Sequence, residues 1–270
     1  MKGFHRMGCV AVALCLLCAV VGGYAEVNAG ELYTPKKGQR GKDVVWEPTS
    51  QKLVDTMLDM AKVTSSDYLI DLGSGDGRTV IAAAKRGARA LGIEYNPDLV
   101  EFARRTATRE GVNDRAAFEQ ADIFESDFSQ ATVLTLFLLE KLNLRLRPKI
   151  LDLKPGTRVV SNTFDMGDWT PDQTTRLDEL DAEWNTAYFW IVPAKVNGSW
   201  NLDGGRINFF QEFQRITGTL TMGEKDTFLI GTLEGDTISF SAGGAKYTGT
   251  VSGNTISGRC TEGGSWKATR

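Results

Sequence analysis

One segment constrains this chain more than any other. A short apolar run, Tyr68-Leu69-Ile70-Asp71-Leu72, passes into the turn Gly73-Ser74-Gly75-Asp76-Gly77-Arg78, and a helical stretch, Thr79 to Arg86, follows and stops at Gly87. Apolar residues bounded by glycines predict a strand, and the alanine-rich stretch ending in glycine predicts a helix with its C′ residue. Glycines between them let the backbone turn sharply and bring N–H groups against a ligand with no Cβ in the way. A dinucleotide site would need a third glycine of the G-x-G-x-x-G kind for close helix–strand packing. In this register that position is Arg78. Asp71, at the strand end, would also repel a pyrophosphate. The turn therefore suits a ligand with a positive end, and a nicotinamide cofactor is disfavoured.

The pattern repeats along the chain. Thr49 or Ser50 caps a predicted helix with apolar positions Val54, Met57, Leu58 and Ala61. Ala90 to Glu94 reads as a strand, and Asn96-Pro97 starts a helix with Asn as cap and Pro at its first position. The buried face of that helix is predicted as Leu99, Phe102, Ala103 and Thr106. Further strands are expected at 117–121, 131–138, 158–162 and 187–192. Residues 140–153 read as a helix that Pro148 kinks or breaks. Strands alternating with helices imply a mainly parallel, seven-stranded sheet covered on both faces, a three-layer α/β sandwich. After Pro193 glycine becomes frequent and helical periodicity vanishes. Six short runs between Arg206 and Arg259, separated by turns such as Ser252-Gly253-Asn254, predict an antiparallel meander that can close into a small barrel. Its expected core is Trp200, Phe209, Phe213, Leu220, Phe228, Leu229, Ile238, Phe240 and Trp266.

The N-terminus reads as an export leader. Lys2, His5 and Arg6 precede an apolar run from Met7 to Gly22, and small residues at Ala25 and Ala29 offer cleavage sites. The run is short for a membrane span, which needs about 20 apolar residues. The chain then divides into a leader (1–25), a flexible Gly/Lys-rich arm (26–43), the α/β domain (44–193) and the β domain (194–270). Export to the periplasm or medium is expected, with no stable membrane span after cleavage; an uncleaved leader acting as a tether is the alternative. Cys9, Cys15, Cys18 and the single His5 all fall in the leader, so only Cys260 remains beyond it. An internal disulfide, a histidine base, a Ser-His triad and a histidine-based metal site are thereby excluded from the processed chain. The formal net charge is -3, and loss of Lys2 and Arg6 with the leader leaves 29 basic against 34 acidic residues. A nucleic-acid partner is disfavoured, because its groove needs clustered Lys and Arg.

Asp71-Leu72-Gly73-Ser74-Gly75-Asp76-Gly77 resembles motif I of the class I (seven-strand) S-adenosylmethionine-dependent methyltransferases. Gly92-Ile93-Glu94 resembles their ribose-binding acid, and Gln120-Ala121-Asp122-Ile123-Phe124 the segment whose Asp meets the adenine amino group. The wording is similar to exported bacterial methyltransferases and, more distantly, to mitochondrial protein-lysine methyltransferases. The resemblance spans about residues 43–193. It implies S-adenosylmethionine as cofactor, with Asp71, Gly73, Ser74 and Gly75 around the methionine end, Glu94 on the ribose and Asp122 on the adenine. Trp46-Glu47-Pro48-Thr49 partly matches a Pro-Thr-Pro-like segment of such proteins, which adds Thr49 to the cofactor residues.

The acceptor is less constrained. Phe137-Leu138-Leu139 stands where nucleobase-amine methylating enzymes carry an Asn/Asp-Pro-Pro-aromatic motif; that motif is missing, and the three residues read as core. Asn143, Asp165 and Trp169 are candidates for an acceptor site or for ordinary loop chemistry. A protein lysine is the first acceptor to consider, and no catalytic base or metal ligand is assigned. S-adenosylmethionine is made in the cytosol, so an exported chain also admits a rival reading: a non-catalytic binding or scaffold protein that keeps the fold.

Overall fold

A computed structural model describes residues 33–178 and 184–270, besides Met1. The leader and the first part of the arm lie outside the described residues.

The first helix, α1 (Gln51–Met60), is capped by Ser50, whose side chain accepts a hydrogen bond from Leu53 N–H; Thr49 has another role. It leads into β1 (Tyr68–Leu72), the glycine turn and α2 (Arg78–Lys85). β2 (Arg89–Glu94) is followed by α3 (Pro97–Arg109), capped by Asn96 with Pro97 at its start as expected. The buried face of α3 is Leu99, Val100, Ala103 and Ala107, so Phe102 and Thr106 stand at its margin instead of beneath it. β3 (Ala116–Gln120), β4 (Val133–Leu136), α4 (Glu140–Ile150) and β5 (Arg158–Asn162) continue the alternation. Pro148 does not break α4, because it falls in the last turn, where only one ladder bond is forfeited. β6 (Gln173–Arg176) and β7 (Thr186–Ile191) complete the sheet.

The strand order is β3-β2-β1-β4-β5-β7-β6, parallel except for β7, which runs antiparallel to both β5 and β6. The order reverses between β1 and β4, and in such sheets ligands bind outside the carboxyl ends of the strands at that switch point. Asp71 sits there, in register with Gly92 on one side and Thr135 on the other. One sheet face is buried by α1, α2 and α3 through Leu53, Leu58, Val80 and Ala103. The opposite face packs against α4 and the loop bearing Met166 and Trp169.

Beyond Pro193 eight strands close into an antiparallel barrel: β8 (Gly198–Leu202), β9 (Gly205–Glu212), β10 (Arg215–Met222), β11 (Lys225–Glu234), β12 (Thr237–Ala242), β13 (Ala245–Ser252), β14 (Thr255–Cys260) and β15 (Gly264–Thr269). The meander is joined by β8 and β15, and Ala268 pairing with Leu202 shuts the ring. Eight strands leave an interior that side chains can fill, here Trp200, Phe209, Leu229, Ile238 and Phe240. At Gly258 an added Cβ would lie 1.8 Å from the Thr248 carbonyl oxygen, so the strand approach there requires glycine. Two expected core residues lie elsewhere. Phe228 has the outward parity of β11 and is 67% exposed. Phe213, at the β9–β10 turn, leaves the barrel and stacks on Trp169, with ring centroids 6.0 Å apart. The barrel is joined to the α/β domain there, through Gln214 Nε2 donating to Thr170 O (2.8 Å) and to Asp172 Oδ1 (3.2 Å).

Candidate cofactor cleft

The carboxyl ends of β1 to β4 and residues 39–49 enclose one cleft lined by Thr49, Asp71, Gly73, Ser74, Gly75, Glu94 and Asp122. All seven residues expected from the sequence thus meet in one place, but their side chains do different things.

Asp71 is buried and accepts a hydrogen bond from Thr135 Oγ1 at 2.6 Å. Burial pushes its carboxyl up to about 7, against the pull of Thr135, and the charges of Glu94 and Asp76 push the same way. Among the described residues Asp71 makes no ion pair, so the chain leaves this carboxylate without a cation. Glu94 closes the neighbouring strand end: Oε2 accepts from Gly75 N–H and Oε1 from Asn96 N–H, both at 2.9 Å. Each oxygen keeps a lone pair for a further donor.

The glycine turn does not offer its N–H groups to a ligand, as the sequence suggested. Gly73 and Ser74 N–H both donate to Ile93 O (2.8 and 3.1 Å), and Gly75 N–H is held by Glu94. A phosphate cradle needs those groups free, so the bonding independently opposes a dinucleotide. The close helix–strand approach is made by Gly77, one position before Arg78. An added Cβ at Gly77 would lie 2.6 Å from Phe118 and 2.8 Å from Ala103, at a φ of 82°. Arg78 instead forks onto Asp76 and donates to Thr49 O at 2.6 Å. Ser74 borders the cleft, but its hydroxyl is turned onto Gly92, is buried and has no partner among the described residues. Thr49 is buried and its Oγ1 accepts from Asn162 Nδ2 at 3.1 Å.

Residues that the sequence reading passed over complete the cleft. The described part of the arm is not free: Trp46 and Gln39 bond through their backbones, and residues 40 and 45 form a bridge. Trp46 lies on the glycine turn, where an added Cβ at Gly75 would be 2.4 Å from Trp46 Nε1. Lys42 pairs with Asp122 and stands over the Tyr95 ring, 4.8 Å from its centroid. Lys42 and the Phe124 N–H together hold the Asp122 carboxyl below the usual carboxylate range. A pair 80 residues apart in a glycine-rich arm has no periodic signature. Trp46 was the one visible signal.

The acceptor candidates separate. Trp169 is fully buried between Trp190 and Phe213, and lines no open site. Asn143 is fully buried too, and its Nδ2 holds the carbonyls of Phe164 (3.0 Å) and Asp165 (3.1 Å). Asp165 turns its carboxylate back onto Gly167 N–H. Of the expected core triplet only Leu138 is buried: Phe137 is half-buried on the cleft wall and Leu139 is exposed. Among the described residues no group of His, Cys, Asp and Glu could hold a metal ion.

The donor set fits S-adenosylmethionine, which presents an ammonium and a sulfonium to an unpaired buried carboxylate and two ribose hydroxyls to a strand-end glutamate. Comparison with known proteins agrees. A model of the ANTKMT methyltransferase domain matches residues 71–173. Over 152 residues the chain is 40% identical to a protein-lysine N-methyltransferase of Saccharolobus islandicus, covering 55% of this chain and 94% of that protein. It is 36% identical over 172 residues to a Rattus norvegicus lysine N-methyltransferase named for ATP synthase, covering 63% of this chain and 78% of the relative. Among solved structures, an RNA methyltransferase from Salinibacter ruber in complex with S-adenosyl-L-homocysteine aligns with a TM-score of 0.52 and 50% identity, over 55% of this chain and 95% of that one. The chain belongs to the family of these proteins and is an S-adenosylmethionine-dependent methyltransferase.

Proposed function

We propose that the enzyme methylates the ε-amine of a protein lysine, with the cofactor held in the cleft at the carboxyl ends of β1 to β4. In this reading Asp71 faces the ammonium of the cofactor, Glu94 takes the ribose hydroxyls, and Asp122 takes the adenine amino group once Lys42 yields it. The bound cofactor supplies a methyl group already activated on a sulfonium. Transfer to an amine forms one N–C bond and breaks one S–C bond; the electron pair stays on sulfur and a proton leaves the nitrogen. The chain's part is alignment, a contribution that can reach about 7–11 kcal/mol, and that work needs no histidine.

The naming of the Saccharolobus islandicus relative, matched over 94% of its length, carries the lysine assignment. An excess of acidic over basic residues supports it against RNA, the acceptor for which the Salinibacter ruber enzyme is named. Export by the leader is part of the proposal and rests on residues 1–25 alone; mass spectrometry of protein from its host, finding the chain begin near residue 26 or 30, would support it. The acceptor is tested by incubating the enzyme and methyl-labelled S-adenosylmethionine with separated protein and RNA fractions. Label should enter protein and return after hydrolysis as methyl-lysine. Label confined to RNA would overturn the assignment.

A further inference from the structure

Three rings from three separate elements meet beside the cofactor cleft. Phe137 follows β4, Phe164 follows β5 and Trp184 precedes β7. The Phe137 and Phe164 centroids are 6.3 Å apart with planes 26° from parallel. Trp184 stands 6.0 Å from Phe137 at 63° and 5.5 Å from Phe164 at 39°. All three are half-buried, unlike Trp169 and Trp190 nearby, which are fully enclosed. Phe137 also forms part of the cleft wall shared with Asp71 and Glu94.

The backbone around Phe164 is held in an unfavourable shape. Thr163 has a φ of 62°, and Phe164 N–H donates to Asn162 O at 2.7 Å, closing a three-residue turn across a β-branched residue in the left-handed region. Asn143 fixes the result through the Phe164 and Asp165 carbonyls. Strain of this kind persists only where the surroundings over-determine it, and it clusters at functional sites. Ring faces attract cations lying within about 6 Å. Among the described residues, the chain's own cation–ring contacts use Tyr68, Tyr95, Phe124, Phe128, Phe213 and Trp200. Among the described residues no cation of the chain itself stands over Phe137, Phe164 or Trp184.

We propose that Phe137, Phe164 and Trp184 form the seat for the acceptor's ammonium, both as lysine and in its methylated forms, beside the methyl donor. The assignment rests on the lysine reading above and adds a specificity to it. Methylation makes the cation larger and less hydrated, so the rings hold each product better than its precursor. The seat therefore favours successive transfers to one nitrogen, each releasing one proton.

The test uses the full chain loaded with S-adenosylhomocysteine, titrated by NMR with Nα-acetyl-Nε-trimethyl-lysine methylamide and with its neutral tert-butyl isostere. The cation should bind roughly three- to tenfold more tightly than the isostere. Phe164→Leu and Trp184→Leu should each reduce that preference, Trp184→Phe should keep it, and all three should bind S-adenosylhomocysteine as the unaltered chain does. Equal affinity of the unaltered chain for the two probes would overturn the seat, as would an unchanged preference in both leucine variants. Lysine methylation accompanied by equal probe affinities would overturn the seat alone and leave the lysine reading standing.

Discussion

Asp71 and Glu94 stand in adjacent strands, yet the fold treats their charges differently. Glu94 is bonded at both oxygens by backbone N–H groups, whereas Asp71 has only Thr135 and a low-dielectric surround. Because the folded Asp71 pKa is raised to about 7 from 3.8, its contribution to stability is full below about pH 4 and is lost as pH rises through 7. A bound ammonium favours the ionised form. The stabilisation that S-adenosylmethionine gives in thermal unfolding should therefore grow between about pH 6 and 8, one unit on either side of the titration, and Asp71→Asn should flatten that dependence. A pH-independent shift in the unaltered protein would contradict the role given to Asp71. Glu94→Ala should weaken cofactor binding at least about tenfold, since charge-assisted hydrogen bonds contribute roughly 1.5–3 kcal/mol each; calorimetric titration beside circular dichroism separates this from unfolding. The identities of these acids were legible because each ends a strand in a recognisable phrase. Their environments were not, because Thr135 and Gly75 become partners of Asp71 and Glu94 only when the strands align.

At the scale of elements, regular periodicity was readable and its exceptions follow physical rules. β6, with the sequence Gln-Thr-Thr-Arg, is a sheet-edge strand that buries no apolar face, so no alternation announces it. β8 carries two large apolar residues, Trp200 and Leu202, and β15 only Trp266; both are strands because they close a ring. Glycine and lysine mask the pairing of the described part of the arm, residues 33–43, which is held by Lys42 on Asp122 and, just beyond it, by Trp46 on Gly75. Lys42 occupies the acid proposed for adenine, so Lys42→Ala should tighten S-adenosylmethionine binding. It should also change the salt dependence of that binding, because an exposed pair is screened. Weaker binding in the variant would show that Lys42 assists the cofactor instead of competing with it.

At the scale of the molecule, residues 33–270 form one compact unit in which the barrel is more than an appendage. Composition revealed the change of architecture near residue 194 but not the contact across it, since Phe213 reads as one more barrel residue. It packs with Trp169 on the sheet face that α4 covers, and Arg147 stands over its ring. Phe213→Ala should cost roughly 1–3 kcal/mol in urea unfolding, below the value for a fully buried phenylalanine, with cofactor affinity unchanged. Loss of cofactor binding in that variant would tie the barrel to the cleft. The account as a whole depends on the cleft at the β1–β4 switch point being the cofactor site. Calorimetric titration of the folded protein with S-adenosylmethionine measures that directly. The account predicts one site per chain with micromolar-range affinity, weakened by Glu94→Ala. No heat up to millimolar ligand, or undiminished binding in Glu94→Ala, would contradict it.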